Sequence, residues 1–557
     1  PVGAGRSAVV SPARMCPAEA RDSSAEMDWI IEHPWSLGQV GMWGMSSGGF
    51  TTLRAAEVGH PALRAVIPML SPLQPDADAF NHDGARVDLH QRILWSAQLL
   101  VQQWLPPTRP SLARDVERWR KRQEHDPFFL DFVRHDAGDP EFARRAVDVS
   151  RIRVPTLCIG GWRDLYARSM VELFEQLEVP KRLIMGPWFH RGPRVGERFF
   201  EIALEWWDHW LRGGPEPSGS PVQCATLDGQ WKGFASWPPQ VATMRLVAAD
   251  GQTLVDGEAM SGTPITHLIH SNATVGALGG SWGMPSAGEV LPADQTADDR
   301  RCLSLTSAPI GRDAVLAGAA EVVFDLSATE PVPTRVVVRL CLVHEDGRSE
   351  FITTGTLRPT HSGRQVVRLR PTLCALPAAA RLRIALGDSD FPRLVPLPQL
   401  TSTALSNLSV AVPVLGPDSL EPCDLFPSTG EPESGITAAE TAPGWSIVRS
   451  PEDDEDGDDV VAVRFASRWT YPLADGTRVG SASDVRATVT ATRPDEAEFV
   501  ADLEGSLEYP SGETAVVKIT IGTRQTRFDA HAVLTVDGEV ERSQTWSEPL
   551  RPEGIPA

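Results

Sequence analysis

The sequence predicts an α/β fold: a parallel sheet flanked by helices, interrupted by a helical insertion and followed by two β-rich segments. Three observations predict it. Short apolar runs alternate with helical patterns over residues 1–75 and again over 150–213, as strands joined by helical crossovers do. Between them, residues 76–149 carry helical spacing and no evident strand. Beyond residue 222 helical patterns nearly vanish, and short alternating segments punctuated by turn residues take over.

The elements follow in order. Residues 25–32 (AEMDWIIE) read as a short helix, 33–38 as a loop and 39–43 (QVGMW) as a buried strand. A helix over 48–58 and a strand over 64–70 (RAVIPML) complete the first run. In the insertion, helices are expected over 89–105 and 112–123. Trp95, Trp104 and Trp119 are expected to pack rather than to line a pocket. The α/β pattern resumes with a strand at 155–160 (PTLCIG), a helix at 169–177, a strand at 182–185 and a helix at 197–211. Residues 212–221 (RGGPEPSGSP) have linker composition. Residues 222–425 then read as a β-sandwich or jelly roll, with strands at 320–326, 334–343, 365–369 and 381–385. Residues 416–444 are rich in Pro, Gly, Glu and Ser. The acidic run 452–459 (EDDEDGDD) reads as a solvated loop, lacking calcium-loop spacing. Strands at 485–491, 515–521 and 531–540, with a hairpin turn at 536–539, make 445–557 a further β-rich module.

Composition narrows the function classes. The chain has 557 residues and a formal net charge of −21. That balance is opposite to the basic stripes of a nucleic-acid binder, so no nucleic-acid partner is expected. No run approaches the roughly 18 apolar residues of a membrane-spanning helix, so no membrane partner is expected either. Seven cysteines are scattered without a C-x-x-C pair. They read as free thiols in a reducing compartment, hence a cytoplasmic protein. The excess of 48 Arg over 4 Lys fits a G+C-rich bacterial genome. A homo-oligomer is compatible with the sequence. The first residue is Pro1, and the start reads as a cut end.

The chemistry concentrates at Gly44-Met45-Ser46-Ser47-Gly48. This is G-x-S-x-G between a buried strand and a helix, the context in which a sharp turn exposes a nucleophilic serine. Gly44 and Gly48 are expected to let strand and helix approach. The Ser47 amide, at the helix N-terminus, is placed to stabilise an oxyanion. A serine hydroxyl needs a base, and the base needs an orienting carboxylate. In chain order Ser, Asp, His, each following a strand, the candidates are Asp164 in Gly160-Gly161-Trp162-Arg163-Asp164 and His190 in Gly186-Pro187-Trp188-Phe189-His190. Asp83, Asp88 and Asp131 of the insertion match no motif and are left out of the site.

These segments resemble the cocaine-esterase and X-prolyl dipeptidyl peptidase family of serine hydrolases. The similarity extends through residues 35–44 (WSLGQVGMWG), 185–190 (MGPWFH), 204–211 (LEWWDHWL) and 388–393 (DSDFPR). The resemblance implies an α/β-hydrolase catalytic part at 1–75 and 150–213, a helical cap at 76–149 over the site, a jelly roll at 222–425 and no cofactor or metal. It implies acyl-enzyme chemistry on a small-molecule ester, amide or peptide, of dipeptidyl-peptidase or acyl-esterase type. Catalytic Ser46, Asp164 and His190 would be assisted by the backbone amide of Ser47. Family members carry Tyr where this chain has Ser47, and a further upstream Tyr as second oxyanion donor. Here no Tyr precedes Tyr166. The first strands of the family's sheet are therefore expected to be missing, and the chain as given to be less stable and slow. The alternative is a catalytically weak homologue whose β modules act in binding.

Overall fold

The strand Leu63–Met69 reads LRAVIPM and is buried at every position but one, as a strand covered on both faces must be. It lies inside a seven-stranded sheet. The computed structural model describes residues 18–108, 113–190, 197–257, 265–280, 291–327, 334–416, 421–423, 425–426, 445–449 and 459–553. Helix α1 (Ala18–Ile31) precedes strand β1 (Val40–Met45), helix α2 (Ser47–Val58) and strand β2 (Leu63–Met69). The sheet continues from β2 through Thr156–Gly161, Lys181–Gly186 and Val222–Ala225, all parallel. It ends with two antiparallel additions, Trp231–Phe234 and Glu421–Pro422.

Residues 222–225 and 231–234 extend the first sheet rather than opening the second. At the other side of the sheet, β1 is the edge strand among the described residues, and its Trp43 and Met45 side chains are exposed.

The second layer system is a twelve-strand β assembly. Its longest strand, Ser402–Leu415, alternates buried and less buried residues through most of its length, the mark of a half-buried strand. The third sheet is a plain antiparallel meander of seven strands from Trp445–Arg449 to Glu539–Pro549.

The insertion is mainly helical, with Ser96–Trp104, Ala113–Gln123, Phe129–Val133 and Pro140–Ala143 as α-helices. It also holds a strand pair the sequence reading lacked, Asn81–His82 with Ala85–Arg86. Asp83 and Gly84 turn it with φ of 49° and 83°, the left-handed pair that a two-residue hairpin needs. The apolar side chains of the insertion divide between two cores. Phe80, Phe132 and Phe142 join the continuous core of the α/β part and the twelve-strand assembly. Leu89, Ile93, Leu100, Trp104, Trp119 and Phe129 pack with Val463, Phe499, Ile519 and Trp546 of the meander.

The three insertion tryptophans are packing residues. Trp95 stacks on Phe132, with centroids 5.0 Å apart. Trp104 is 1% exposed and sits 5.9 Å from Trp546. Trp119 donates its indole N–H to the Trp104 carbonyl at 2.8 Å. Replacing Trp104 by alanine should cost about 3–5 kcal/mol, the usual penalty for a buried tryptophan. Denaturant unfolding measures it, and a loss below about 1 kcal/mol would show that the meander does not depend on this contact.

The acidic run falls mostly outside the described residues, but its last member does not behave as a loop carboxylate. Asp459 accepts hydrogen bonds from Arg301 (2.7 Å), Thr274 (2.9 Å) and Arg449 (3.1 Å), and Arg449 also reaches Asp298 at 2.7 Å. It ties the meander to the twelve-strand assembly. Of the cysteines, Cys158, Cys224, Cys302, Cys341, Cys374 and Cys423 are free thiols, and Cys16 lies outside the described residues. No helix among the described residues is long and apolar enough to cross a membrane.

Candidate active site

Ser46 stands between β1 and α2 with φ 59° and ψ −124°, a backbone conformation that costs a non-glycine residue energy and persists only where neighbours enforce it. Two hydrogen bonds enforce it. The Ser46 N–H donates to Met69 O on β2 at 2.9 Å, and Phe50 N–H donates to Ser46 O at 2.9 Å. The glycines that permit the turn differ in part from those expected. A Cβ at Gly44 would lie 2.3 Å from the Gly48 carbonyl oxygen, and one at Gly49 only 2.8 Å from Met69 O. A Cβ at Gly48 would meet nothing within 4 Å, so Gly48 contributes bare backbone opposite Gly44 rather than room for its own side chain. The Ser47 amide opens α2, where the first N–H groups of a helix lack intrahelical acceptors.

Asp164 and His190 follow adjacent parallel strands, Thr156–Gly161 and Lys181–Gly186. The loops after these strands are laced together. Trp162 N–H donates to Gly186 O at 2.8 Å, and Arg163 N–H to Trp188 O at 3.0 Å. Asp164 is fully buried. Its Oδ1 accepts from the Tyr166 N–H at 2.8 Å, and its Oδ2 lies 2.6 Å from His190 Nδ1. A carboxylate can only accept, so Nδ1 carries the proton. His190 Nε2 is then the acceptor, 2.9 Å from Ser46 Oγ. The structure thus brings the three expected side chains into one hydrogen-bonded chain, with the Ser46 hydroxyl only partly buried at its open end.

Sequence reasoning missed the residues around this chain. The Tyr166 ring meets the His190 imidazole edge-on, 5.4 Å between centroids at 72°. Its place two residues after Asp164 was the only available signal. Arg163 is 2% exposed and donates from Nη1 to the carbonyls of Phe351 (3.1 Å) and Ile352 (3.3 Å). Burial pulls its guanidinium down to about 10. Nothing in the motif announced a partner 188 residues away. The insertion carboxylates left out of the site are engaged elsewhere: Asp88 with Arg86 and Arg92, Asp131 with Arg145, and Asp83 with Arg168. Among the described residues no group of three or more His, Cys, Asp or Glu is arranged to hold a metal ion.

Two family models match this chain. X-Pro dipeptidyl-peptidase (S15 family) matches residues 7–192, and the X-Pro dipeptidyl-peptidase C-terminal non-catalytic domain matches residues 218–407. Together they take in about two thirds of the sequence, including all three site residues. The chain belongs to the cocaine-esterase and X-prolyl dipeptidyl peptidase family. The cocaine esterase of a Rhodococcus species is 24% identical over 401 residues, covering 60% of this chain and 68% of its own. A Mycobacterium bovis protein provisionally named serine esterase is 25% identical over 411 residues, covering 62% of this chain. The match spans 65% of that relative's length. Among solved structures, a CocE/NonD family hydrolase from Staphylococcus aureus superposes with a TM-score of 0.59 at 16% identity, over 74% of this chain and 79% of that one. An α-amino acid ester hydrolase gives 0.56 at 17% identity, over 71% and 80%. These likenesses give the α/β-hydrolase fold. The seven-stranded meander lies outside both family matches.

Proposed function

We propose that this family member is a serine hydrolase that cleaves an ester, amide or peptide bond through an acyl-enzyme. The observation that carries the reading is the unbroken relay from the Ser46 hydroxyl through His190 to the buried Asp164 carboxylate. Ser46 attacks the carbonyl as His190 Nε2 takes its proton. The tetrahedral oxyanion is stabilised by the Ser47 amide at the start of α2. His190 returns the proton to the leaving alcohol or amine, and the ester of Ser46 remains. Water, deprotonated by the same imidazole, then releases the acid. Asp164 fixes the imidazole's tautomer and stabilises its charged form.

The division into an α/β part, a cap over 76–149, a jelly roll over most of 222–425 and a meander module belongs to the same reading. The cap assignment is supported by the Arg168–Asp83 pair at 2.8 Å, which ties the insertion's hairpin to the helix just after Asp164. Every step uses side chains and backbone of this chain, and no cofactor is invoked. Free thiols throughout the described cysteines favour a reducing, cytoplasmic setting.

The test is covalent. A fluorophosphonate probe should label the protein once per chain, and mass spectrometry should place the adduct on the peptide carrying Ser46. Labelling at another serine, or none from protein shown to be folded, would sink the reading.

A further inference from the structure

Arg163 is an expensive residue in the place it occupies. It is 2% exposed, and Nη2 has no hydrogen-bond partner. Its two acceptors are backbone carbonyls, and among the described residues it forms no ion pair. A buried cation whose hydrogen bonds go only to neutral groups is costly compared with an apolar side chain of the same length. What the charge and reach provide is an unusual set of connections. The Arg163 backbone N–H is bound to Trp188 O in the loop that carries His190. Its guanidinium crosses to the strand Ser349–Leu357 of the twelve-strand assembly, where it bonds Phe351 O and Ile352 O and lies 5.7 Å from the Phe351 ring centre. Phe351 in turn shares a buried apolar cluster with Leu291 and with Phe189, the residue before His190. The next residue after Arg163 is Asp164.

We propose that Arg163 is a positioning residue through which the β-domain described as non-catalytic in the family holds the acid loop, and with it Asp164, in register with His190. The peptide before the acid is held at two points, by the base loop through its backbone and by the β-domain through its side chain. Phe351 lies by the Arg163 guanidinium and shares one buried apolar cluster with Phe189 of the base loop and Leu291, so the β-domain bears on both loops. Without the guanidinium, the loop keeps only its backbone ties. The 2.6 Å contact between Asp164 and His190 is then held by a segment free to shift, and a displacement near 1 Å can cost about 100-fold in rate. The substrate's own contacts are untouched, so the loss falls on kcat.

This inference rests on Ser46, Asp164 and His190 acting as proposed above, and the experiment separates the two. Arg163→Met, Arg163→Lys and Ser46→Ala are compared with the parent chain on a p-nitrophenyl ester. Active sites of the first two are counted by fluorophosphonate titration, so that kcat refers to reactive protein only. Arg163→Met should lower kcat per titrated site by about 10- to 100-fold with KM within about 2-fold. Arg163→Lys keeps the charge and one donor and should recover a substantial part of kcat. A parental kcat per site in Arg163→Met, with Ser46→Ala inactive, overturns the positioning role alone. So does a loss of total activity that merely tracks the number of titratable sites, since that is a folding effect. If Arg163→Met yields no folded protein, Arg163→Lys decides: a parental kcat per site overturns the proposal, and an intermediate kcat at unchanged KM supports it. Turnover that survives Ser46→Ala would overturn both readings.

Discussion

Ser46→Ala is expected to lower kcat on a p-nitrophenyl ester by about a million-fold, to the level of the buffer reaction plus whatever the oxyanion site supplies. The size follows from the kind of group removed. Among the described residues, Ser46 Oγ is the only side-chain oxygen bonded to His190 Nε2, at 2.9 Å, and a water in its place would lack the fixed approach to the carbonyl that the turn provides. The variant should fold as the parent does. Alanine at φ 59° is strained as serine is, and the backbone bonds to Met69 O and from Phe50 N–H remain. A melting temperature within a few degrees of the parent, together with lost turnover, is the expected pair of results. A variant that keeps more than about one thousandth of the parental rate would place the nucleophile elsewhere.

The turn at Ser46 was legible because everything that makes it is local. An apolar strand, a glycine that tolerates backbone contact, a serine and a helix follow one another within twenty residues. Asp164 and His190 were legible by a weaker rule, that each follows a strand of one parallel sheet, and the adjacency of Thr156–Gly161 and Lys181–Gly186 makes that rule work. What stayed hidden depends on distant partners. Strands Val222–Ala225 and Trp231–Phe234 read like those of any β-domain, and only the pairing of the first with Lys181–Gly186, and of the second with the first, assigns them to the first sheet. The helices of the insertion show an apolar face without showing that it meets Val463, Phe499 and Trp546 of the meander. Asp459 reads as the end of an acidic loop because two of the residues that bind it, Thr274 and Arg301, lie 185 and 158 residues away in the chain. The glycine error was of another kind. Gly44 and Gly48 look equivalent in G-x-S-x-G, and only the direction of the absent Cβ separates them.

Asp164→Asn should leave the shape of the site intact and still lower kcat by about 10,000-fold. The carboxylate is fully buried and makes two kinds of contact. Oδ1 accepts from the Tyr166 N–H at 2.8 Å, a bond an amide oxygen can keep. Oδ2 accepts from His190 Nδ1–H at 2.6 Å, and here the amide of asparagine presents a donor instead. Two donors cannot face each other, so the imidazole moves its proton to Nε2. The nitrogen that lies 2.9 Å from Ser46 Oγ then donates to the hydroxyl and cannot accept its proton. Nothing else about the serine, the turn or the Ser47 amide changes, so substrate binding and KM should stay near the parent values while kcat collapses. Because the substitution also removes a buried charge and keeps the Tyr166 bond, the protein should remain folded, which thermal unfolding would verify. The assignment can fail in one clear way. A folded Asp164→Asn protein with a kcat within ten-fold of the parent would mean that His190 takes its orientation from another group, with the edge-on ring of Tyr166 the first to examine by substitution with leucine.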